Sequence, residues 1–298
     1  MGYIMKVNII NKKNIYIIKL MRPKQWIKNF FVFGALIFSC KFLELNNVIN
    51  TLITFILFSL MSSTVYIMND IVDVEKDRIH PKKKNRPIAS GQVSIKKAIL
   101  LMGIIFVITL IIAIIVNKIL AAILFIYFLN NVIYSFKVKN IVILDVISIA
   151  FGFILRVISG GIVIGVTLSN WILLCTFSIS LFLGFEKRSN ELCKLESKAN
   201  KHRKILDEYS KELLDQFTNV SLTCTIITYA MYTFFAYEHS YMLITNIFLV
   251  YGLLRYKYLT VKNDVGGSPT EAVIGDKSII IDVLLWGVTS AMILLIVK

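Results

Sequence analysis

The chain has 298 residues, of which 57% are hydrophobic and 17% are charged, and its formal net charge is +15. Ordinary soluble domains carry about 25% charged residues, and a chain with 20 Phe and 13 Tyr but 4 Pro is neither disordered nor collagen-like. The composition excludes a typical soluble domain and predicts an all-α, polytopic membrane protein.

Nine apolar segments approach the length that a membrane helix needs, about 20 residues. They are residues 26–44, 48–68, 97–116, 119–136, 141–165, 169–185, 217–236, 239–256 and 278–297. The first begins near Trp26 without a small-residue cleavage site, so we interpret it as a retained helix and not as a removable signal. We expect one membrane-embedded domain over residues 1–298, with nine transmembrane helices and a cytoplasmic segment at 1–24.

The basic residues are sorted by side of the membrane. In this topology, 29 of the 33 Lys and Arg lie on one side of the membrane and only Lys41, Lys118 and Lys298 lie on the other, while Arg156 lies inside the fifth segment. Basic residues collect in cytoplasmic loops, so the N-terminus is predicted to be cytoplasmic in a cell (inner or plasma) membrane. The sorting also explains the net charge without a nucleic-acid partner. The four cysteines form no C-x-x-C pair and indicate neither zinc nor disulfides.

Two inner connections, residues 69–96 and 186–216, are long and polar, and we expect them to be cytoplasmic active-site loops. The second contains apolar residues at the spacing of one helical stripe, which predicts an amphipathic helix lying on the membrane surface. These residues are Ile205, Leu206, Tyr209, Leu213, Leu214 and Phe217.

An acidic motif, Asn69-Asp70-Ile71-Val72-Asp73-Val74-Glu75-Lys76-Asp77, follows the second segment. In a continuing helix Asp70, Asp73 and Asp77 stack on one face, where like charges repel one another. A divalent cation among them would remove the repulsion, and oxygen ligands suit Mg²⁺ bound together with substrate phosphates. We therefore predict Asp70, Asp73 and Asp77 as catalytic residues and, with Asn69, as Mg²⁺ ligands. The run Lys82-Lys83-Lys84-Asn85-Arg86 either holds phosphate oxygens or is an ordinary basic inner loop.

This motif, followed by Arg86-Pro87-Ile88-Ala89-Ser90-Gly91, resembles the UbiA prenyltransferase superfamily. The resemblance implies a helical bundle that binds a Mg²⁺-diphosphate. Usual members carry a D-x-x-x-D motif between the sixth and seventh helices, where this sequence has Glu186-Lys187-Arg188-Ser189-Asn190-Glu191-Leu192. Further stretches, from about residue 22 to the end, are similar to the decaprenyl-phosphate phosphoribosyltransferase branch: Arg22-Pro23-Lys24-Gln25-Trp26-Ile27-Lys28-Asn29, Tyr134-Ser135-Phe136-Lys137, Leu144-Asp145-Val146, Leu155-Arg156, Ser169-Asn170-Trp171 and Pro269-Thr270-Glu271.

That branch implies transfer of phosphoribose from phosphoribosyl diphosphate to a polyprenyl phosphate, with Mg²⁺ as cofactor. Both substrates are anionic, so basic and polar residues near the inner surface are the predicted substrate ligands. These are Lys24, Gln25, Lys28, Arg86, Tyr134, Lys137, Arg156, Lys187, Arg188 and Glu191. For Tyr134, Lys137 and Arg156, a purely structural role is an equal alternative. A prenyltransferase acting on an aromatic acceptor and a membrane transporter are the alternative functions, and homo-oligomerisation is left open.

Overall fold

Ten α-helices and a helical stretch over residues 15–21 make up most of this computed structural model, which describes residues 15–81, 83–196, 204–237, 240–262 and 275–296. The described residues contain no β-strand, so the all-α class is confirmed. In chain order the helices are α1 (Gly34–Phe38), α2 (Leu45–Val72), α3 (Val74–Ile79), α4 (Ile95–Val116), α5 (Lys118–Phe136), α6 (Leu144–Val163), α7 (Asn170–Glu196), α8 (Lys211–Phe235), α9 (Asn246–Lys262) and α10 (Lys277–Ile296).

Within those ranges, five helices are long and apolar enough to cross a membrane: α2, α4, α5, α6 and α10. The protein is therefore a multi-pass membrane protein. Each of the nine predicted segments coincides with helical structure where the chain is described, but nine separate spans stay a prediction. The end of the bundle where α2 finishes and α4 begins is called the polar end below.

The first apolar segment is not one continuous α-helix: it begins as a 3₁₀ helix over Pro23–Phe33 and continues as the short helix α1. A 3₁₀ helix has three residues per turn, so Trp26, Asn29 and Val32 lie in one row. The Trp26 Nε1–H donates to Ser63 Oγ at 3.0 Å, and the Asn29 amide donates to Ser59 Oγ at 3.0 Å. These residues pack the segment against α2, and hydropathy alone does not predict this contact.

The packing of this segment on α6 depends on Gly160. A Cβ at that position would lie 2.0 Å from the carbonyl oxygen of Val32, so only glycine permits the approach. Close contact through small residues is typical of membrane helices. Beside it, α2, α5 and α6 enclose the largest buried cluster, which includes Leu57, Phe58, Met61, Leu120, Leu124, Tyr127 and Leu155.

The prediction that residues 186–216 form a connection carrying a helix on the membrane surface was wrong in two respects, while their role in the active site stays a prediction. Helix α7 runs on to Glu196, and a short 3₁₀ helix over Lys204–Glu208 precedes α8. Ile205 and Tyr209 are 2% and 4% exposed and pack in one cluster with Val146 and Phe185. The apolar stripe therefore covers the polar end of the bundle instead of lying on lipid, because a stripe's spacing does not specify which apolar surface it meets.

Candidate active site

The acidic motif lies where α2 ends. Asp73 caps the helix, yet its N–H donates to Asn69 O at 2.9 Å and the Asp77 N–H donates to Asp73 O at 2.8 Å. Helical hydrogen bonding thus continues across the boundary into α3. Asp70 and Asp77, seven residues apart, lie on one face, and each is only 2% exposed.

Basic side chains of the same chain neutralise these acids. Arg86 Nη1–H donates to Asp70 Oδ1 at 3.1 Å and also to Asp77 Oδ2, so one guanidinium bridges two carboxylates. Arg22 donates to the same oxygen of Asp70. Asp73 instead pairs with Lys139, whose Nζ lies 2.9 Å from Asp73 Oδ1. The motif is therefore divided into a bridged pair, Asp70 and Asp77, and a separate Asp73–Lys139 pair.

These residues fit a magnesium ion that arrives with a phosphate. Among the described residues no three His, Cys, Asp or Glu form a ready-made metal cage. Each of the three carboxylates, however, keeps one oxygen that accepts no hydrogen bond from any other described residue. Mg²⁺ is commonly bound through one or two carboxylates plus substrate phosphates. Asp70 and Asp77 suit this arrangement directly, whereas the full set with Asp73 and Asn69 stays a prediction.

The C-terminal turn of α5 joins the acidic motif to a second polar cluster. Ser135 Oγ–H donates to Asn69 Oδ1, and the neighbouring Tyr134 hydroxyl accepts from Arg188 Nη2 at 3.4 Å. Two consecutive residues thus contact α2 on one side and α7 on the other. The exposed Lys137 does not reach the acids; Lys139, two residues later, does.

The second cluster is centred on Arg188. Its Nε–H donates to Asp145 Oδ2 at 2.7 Å, and its Nη1–H donates to Glu191 Oε2 at 2.7 Å. Tyr209 donates to Asp145 Oδ1 at 3.3 Å and accepts from the Ile143 N–H at 2.6 Å. Burial raises the pKa of Tyr209 to about 12, and the charge of Asp145 acts in the same direction. The phenol therefore stays protonated and can donate.

Lys187 lies beyond the apolar part of α7, with its Nζ 3.8 Å from Glu191 Oε1. Desolvation at the bundle end lowers the pKa of Lys187 to about 8; Glu191 opposes this, while the charges of Arg188 and Lys28 reinforce it. Lys28 belongs to the first 3₁₀ helix, so the electrostatic environment of Lys187 includes a cation from outside α7. Lys28 also interacts with the charges of Arg156 and Arg22.

Arg156 is buried among framework contacts. Its three nitrogens donate to Asn29 Oδ1 at 2.7 Å, to Gly152 O at 2.6 Å and to the Tyr127 hydroxyl at 3.0 Å. The guanidinium also stacks on the rings of Phe58, Tyr127 and Phe153, 4.7 to 5.6 Å from their centroids. Arg156 does not pair with Asp145, whose carboxylate accepts instead from Arg188. These contacts favour the structural alternative for Arg156.

Several other residues that the sequence predicted as substrate ligands belong neither to the acidic motif nor to the Arg188 cluster. Lys24 is exposed and Gln25 is half-buried, and neither side chain bonds to another described residue. Pro269, Thr270 and Glu271 lie outside the described residues. Sequence reasoning missed Arg22, Ser135, Lys139, Asp145 and Tyr209 as parts of the site. Arg22 and Ser135 lie inside stretches that carried the family resemblance, which was the available signal.

The family model described as "UbiA prenyltransferase family" matches residues 30–270. The chain belongs to this family. It is 31% identical to the decaprenyl-phosphate phosphoribosyltransferase of Mycolicibacterium smegmatis, over 91% of this chain and 89% of the relative. It is 32% identical to the enzyme of the same name from Corynebacterium glutamicum, over 90% and 83% of the two chains.

Solved structures confirm the family's fold for this chain. A UbiA homolog from Archaeoglobus fulgidus, bound to DMAPP and Mg²⁺, superposes with a TM-score of 0.70 over 92% of this chain and 97% of that one. The identity between them is 16%, so this likeness concerns the fold alone.

Proposed function

We propose that this protein transfers 5-phosphoribose from phosphoribosyl diphosphate to a polyprenyl phosphate and releases diphosphate, with Mg²⁺ as cofactor. The two relatives named above, similar over most of their length, support this reaction. The observation that carries it is the chemistry of the polar end. Buried acids suited to a metal-bound diphosphate occur on α2 and α3, while α7 presents Lys187 and Arg188 where the family resemblance implies further aspartates.

A site with one acidic side and one basic side suits this pair of substrates. Mg²⁺ held by Asp70 and Asp77, with Asp73 close by, would neutralise charge on the departing diphosphate. Arg22 and Arg86 would bind the diphosphate oxygens that the metal leaves free. These cations are already in place when the diphosphate leaves. They therefore stabilise the negative charge that develops on it next to the apolar environment of the membrane.

The acceptor phosphate would bind on the other side, near Lys28 and Lys187. An oxygen of this phosphate forms the new bond to the anomeric carbon, while the bond from that carbon to the diphosphate oxygen breaks and its electron pair leaves with the diphosphate. The attacking oxygen is already anionic, so no general base is needed. The main obstacle is repulsion between two anions, which Lys28 and Lys187 reduce.

The proposed donor and acceptor residues lie at the polar end of the bundle, and this supports a cytoplasmic orientation for that end and a single domain. The water-soluble donor requires a site at the membrane surface, and the excess of basic residues indicates that this surface is cytoplasmic. We place the protein in the cell membrane as one domain over residues 1–298, with 69–96 contributing the donor side.

The test supplies purified protein with Mg²⁺, polyprenyl phosphate and phosphoribosyl diphosphate labelled in its ribose. Label should move into the organic phase, and chelating the metal should stop the transfer. A parallel reaction supplies dimethylallyl diphosphate and an aromatic acceptor. Prenylation there, without any phosphoribosyl transfer, would show a prenyltransferase. If neither donor reacts and the donor instead accumulates inside proteoliposomes, the protein is a transporter.

A further inference from the structure

Arg86 forms an unusual internal bridge at the donor side. Its Nη1 donates to one oxygen of Asp70 and one oxygen of Asp77, both on buried carboxylates. These two acids are the only acceptors for its guanidinium among the described residues. The bridge therefore lies where the metal would bind.

The other arginine on Asp70 is held differently. Arg22 has a left-handed backbone with φ of 53°, which is uncommon for a residue with a side chain. Its guanidinium lies 5.1 Å from the ring centroid of Tyr66. The Arg22 guanidinium thus contacts an aromatic ring as well as Asp70, whereas Arg86 belongs to the connection between α3 and α4 and its guanidinium contacts only the two acids in the described part of the chain.

A cavity of about 270 Å³ adjoins Arg86 and is lined by Lys19, Arg22, Asp70, Asn85, Arg86 and Pro87. Its lining includes three cations and one carboxylate, so it favours an anion. An anion entering beside Asp70 and Asp77 would meet their repulsion unless a cation accompanied it. The cavity and the bridged acids together therefore suit a metal–diphosphate complex better than either ion alone.

We propose that Arg86 is an exchangeable counter-ion. Without a donor, its guanidinium pairs with the carboxylates of Asp70 and Asp77 in place of a metal. When the metal–diphosphate complex enters, the guanidinium moves from these carboxylates to phosphate oxygens in the adjoining cavity. Metal and diphosphate then bind cooperatively, because each supplies the charge that the other's site lacks. This inference rests on the proposed function, since it takes the donor to be a metal-bound diphosphate.

Binding of Mn²⁺ alone, measured by electron paramagnetic resonance without any lipid or turnover, tests the exchange. Arg86→Gln should bind Mn²⁺ about tenfold tighter than the wild type, because the metal no longer competes with a unit charge a few ångströms away. The same variant should bind the Mn²⁺–diphosphate complex about tenfold more weakly, because a phosphate ligand is gone. Arg78→Gln is the matched control: Arg78 pairs with the exposed Glu75, and its removal should change neither affinity.

Arg86→Lys provides a second variant should the glutamine fail to fold. A lysine keeps the charge but presents one point donor, so its Mn²⁺ affinity should lie between those of the wild type and Arg86→Gln. Mn²⁺ affinity that is unchanged or lower in both variants, or no Mn²⁺ binding by any of the proteins, would overturn the exchange. Failure of the proposed function would be seen separately, as a wild-type protein that binds the metal complex but transfers no phosphoribose.

Discussion

Arg188 and Asp145 form an ion pair of 2.7 Å in which the two side chains are 1% and 0% exposed. Tyr209 adds a hydrogen bond to Asp145, and Glu191 adds a second carboxylate to Arg188. The pair connects α6 to α7, and through Tyr209 it also binds the segment that precedes α8. It therefore stabilises the part of α7 that carries Lys187.

Removing one charge of this pair should destabilise the protein. Asp145→Asn keeps the size of the side chain but leaves Arg188 buried with only Glu191, and breaking a buried pair in this way costs about 3 kcal/mol. Thermal unfolding in detergent should show a clearly lower midpoint. Glu75→Gln, which breaks the exposed pair with Arg78, is the control and should leave the midpoint unchanged. Equal midpoints for both variants would contradict a structural role for Asp145.

The contact between the first 3₁₀ helix and α6 should tolerate no side chain at Gly160. Gly160→Ala would place its Cβ against the Val32 carbonyl and should destabilise the protein by about 3 kcal/mol, the upper range for overpacking. Gly103→Ala is the matched control, since nothing lies within 4 Å of its added methyl group. In that helix the alanine should be neutral or slightly stabilising. A stable Gly160→Ala protein would refute this packing.

The lowered pKa of Lys187 predicts a pH dependence for acceptor binding. Its ammonium is largely charged at neutral pH and loses its proton as the pH rises through about 8, so attraction for a phosphate should weaken on the alkaline side. Between one unit below and one unit above that pKa, the KM for polyprenyl phosphate should rise roughly tenfold. Lys187→Arg stays charged, so its KM should change much less. Parallel profiles for the two proteins would show that Lys187 does not bind the acceptor.

The sequence predicted the parts of the site that depend on local spacing. Asp77 follows Asp70 by seven positions, and that interval alone places both on one helical face, as the structure confirms. Their partners could not be predicted in the same way, because Arg22 lies 48 residues before Asp70 and Lys139 lies 66 residues after Asp73. Such contacts are set by how distant helices pack, which spacing does not encode.

The apolar pattern of the sequence likewise predicted only part of the structure. It located the five described helices that are long and apolar enough to cross a membrane, since length and composition suffice for that, but it did not give the three-residue period of Pro23–Phe33. It also did not show that Ile205 and Tyr209 would meet Phe185 instead of lipid. In both cases the deciding interaction is with another element of the bundle.

The proposed donor site is tested most directly by the turnover of Asp73→Asn. Asp73 is partly exposed, with 28% of its side chain accessible and one ion pair to Lys139, so its substitution should leave folding in detergent intact. We expect transfer of labelled phosphoribose to polyprenyl phosphate to fall at least 100-fold, because interactions with a departing charge contribute on that order. Lys139→Gln, which removes the partner but keeps the carboxylate, should retain far more activity. Undiminished transfer by a folded Asp73→Asn protein would contradict a site in which Asp73 joins Asp70 and Asp77 in holding the metal-bound diphosphate.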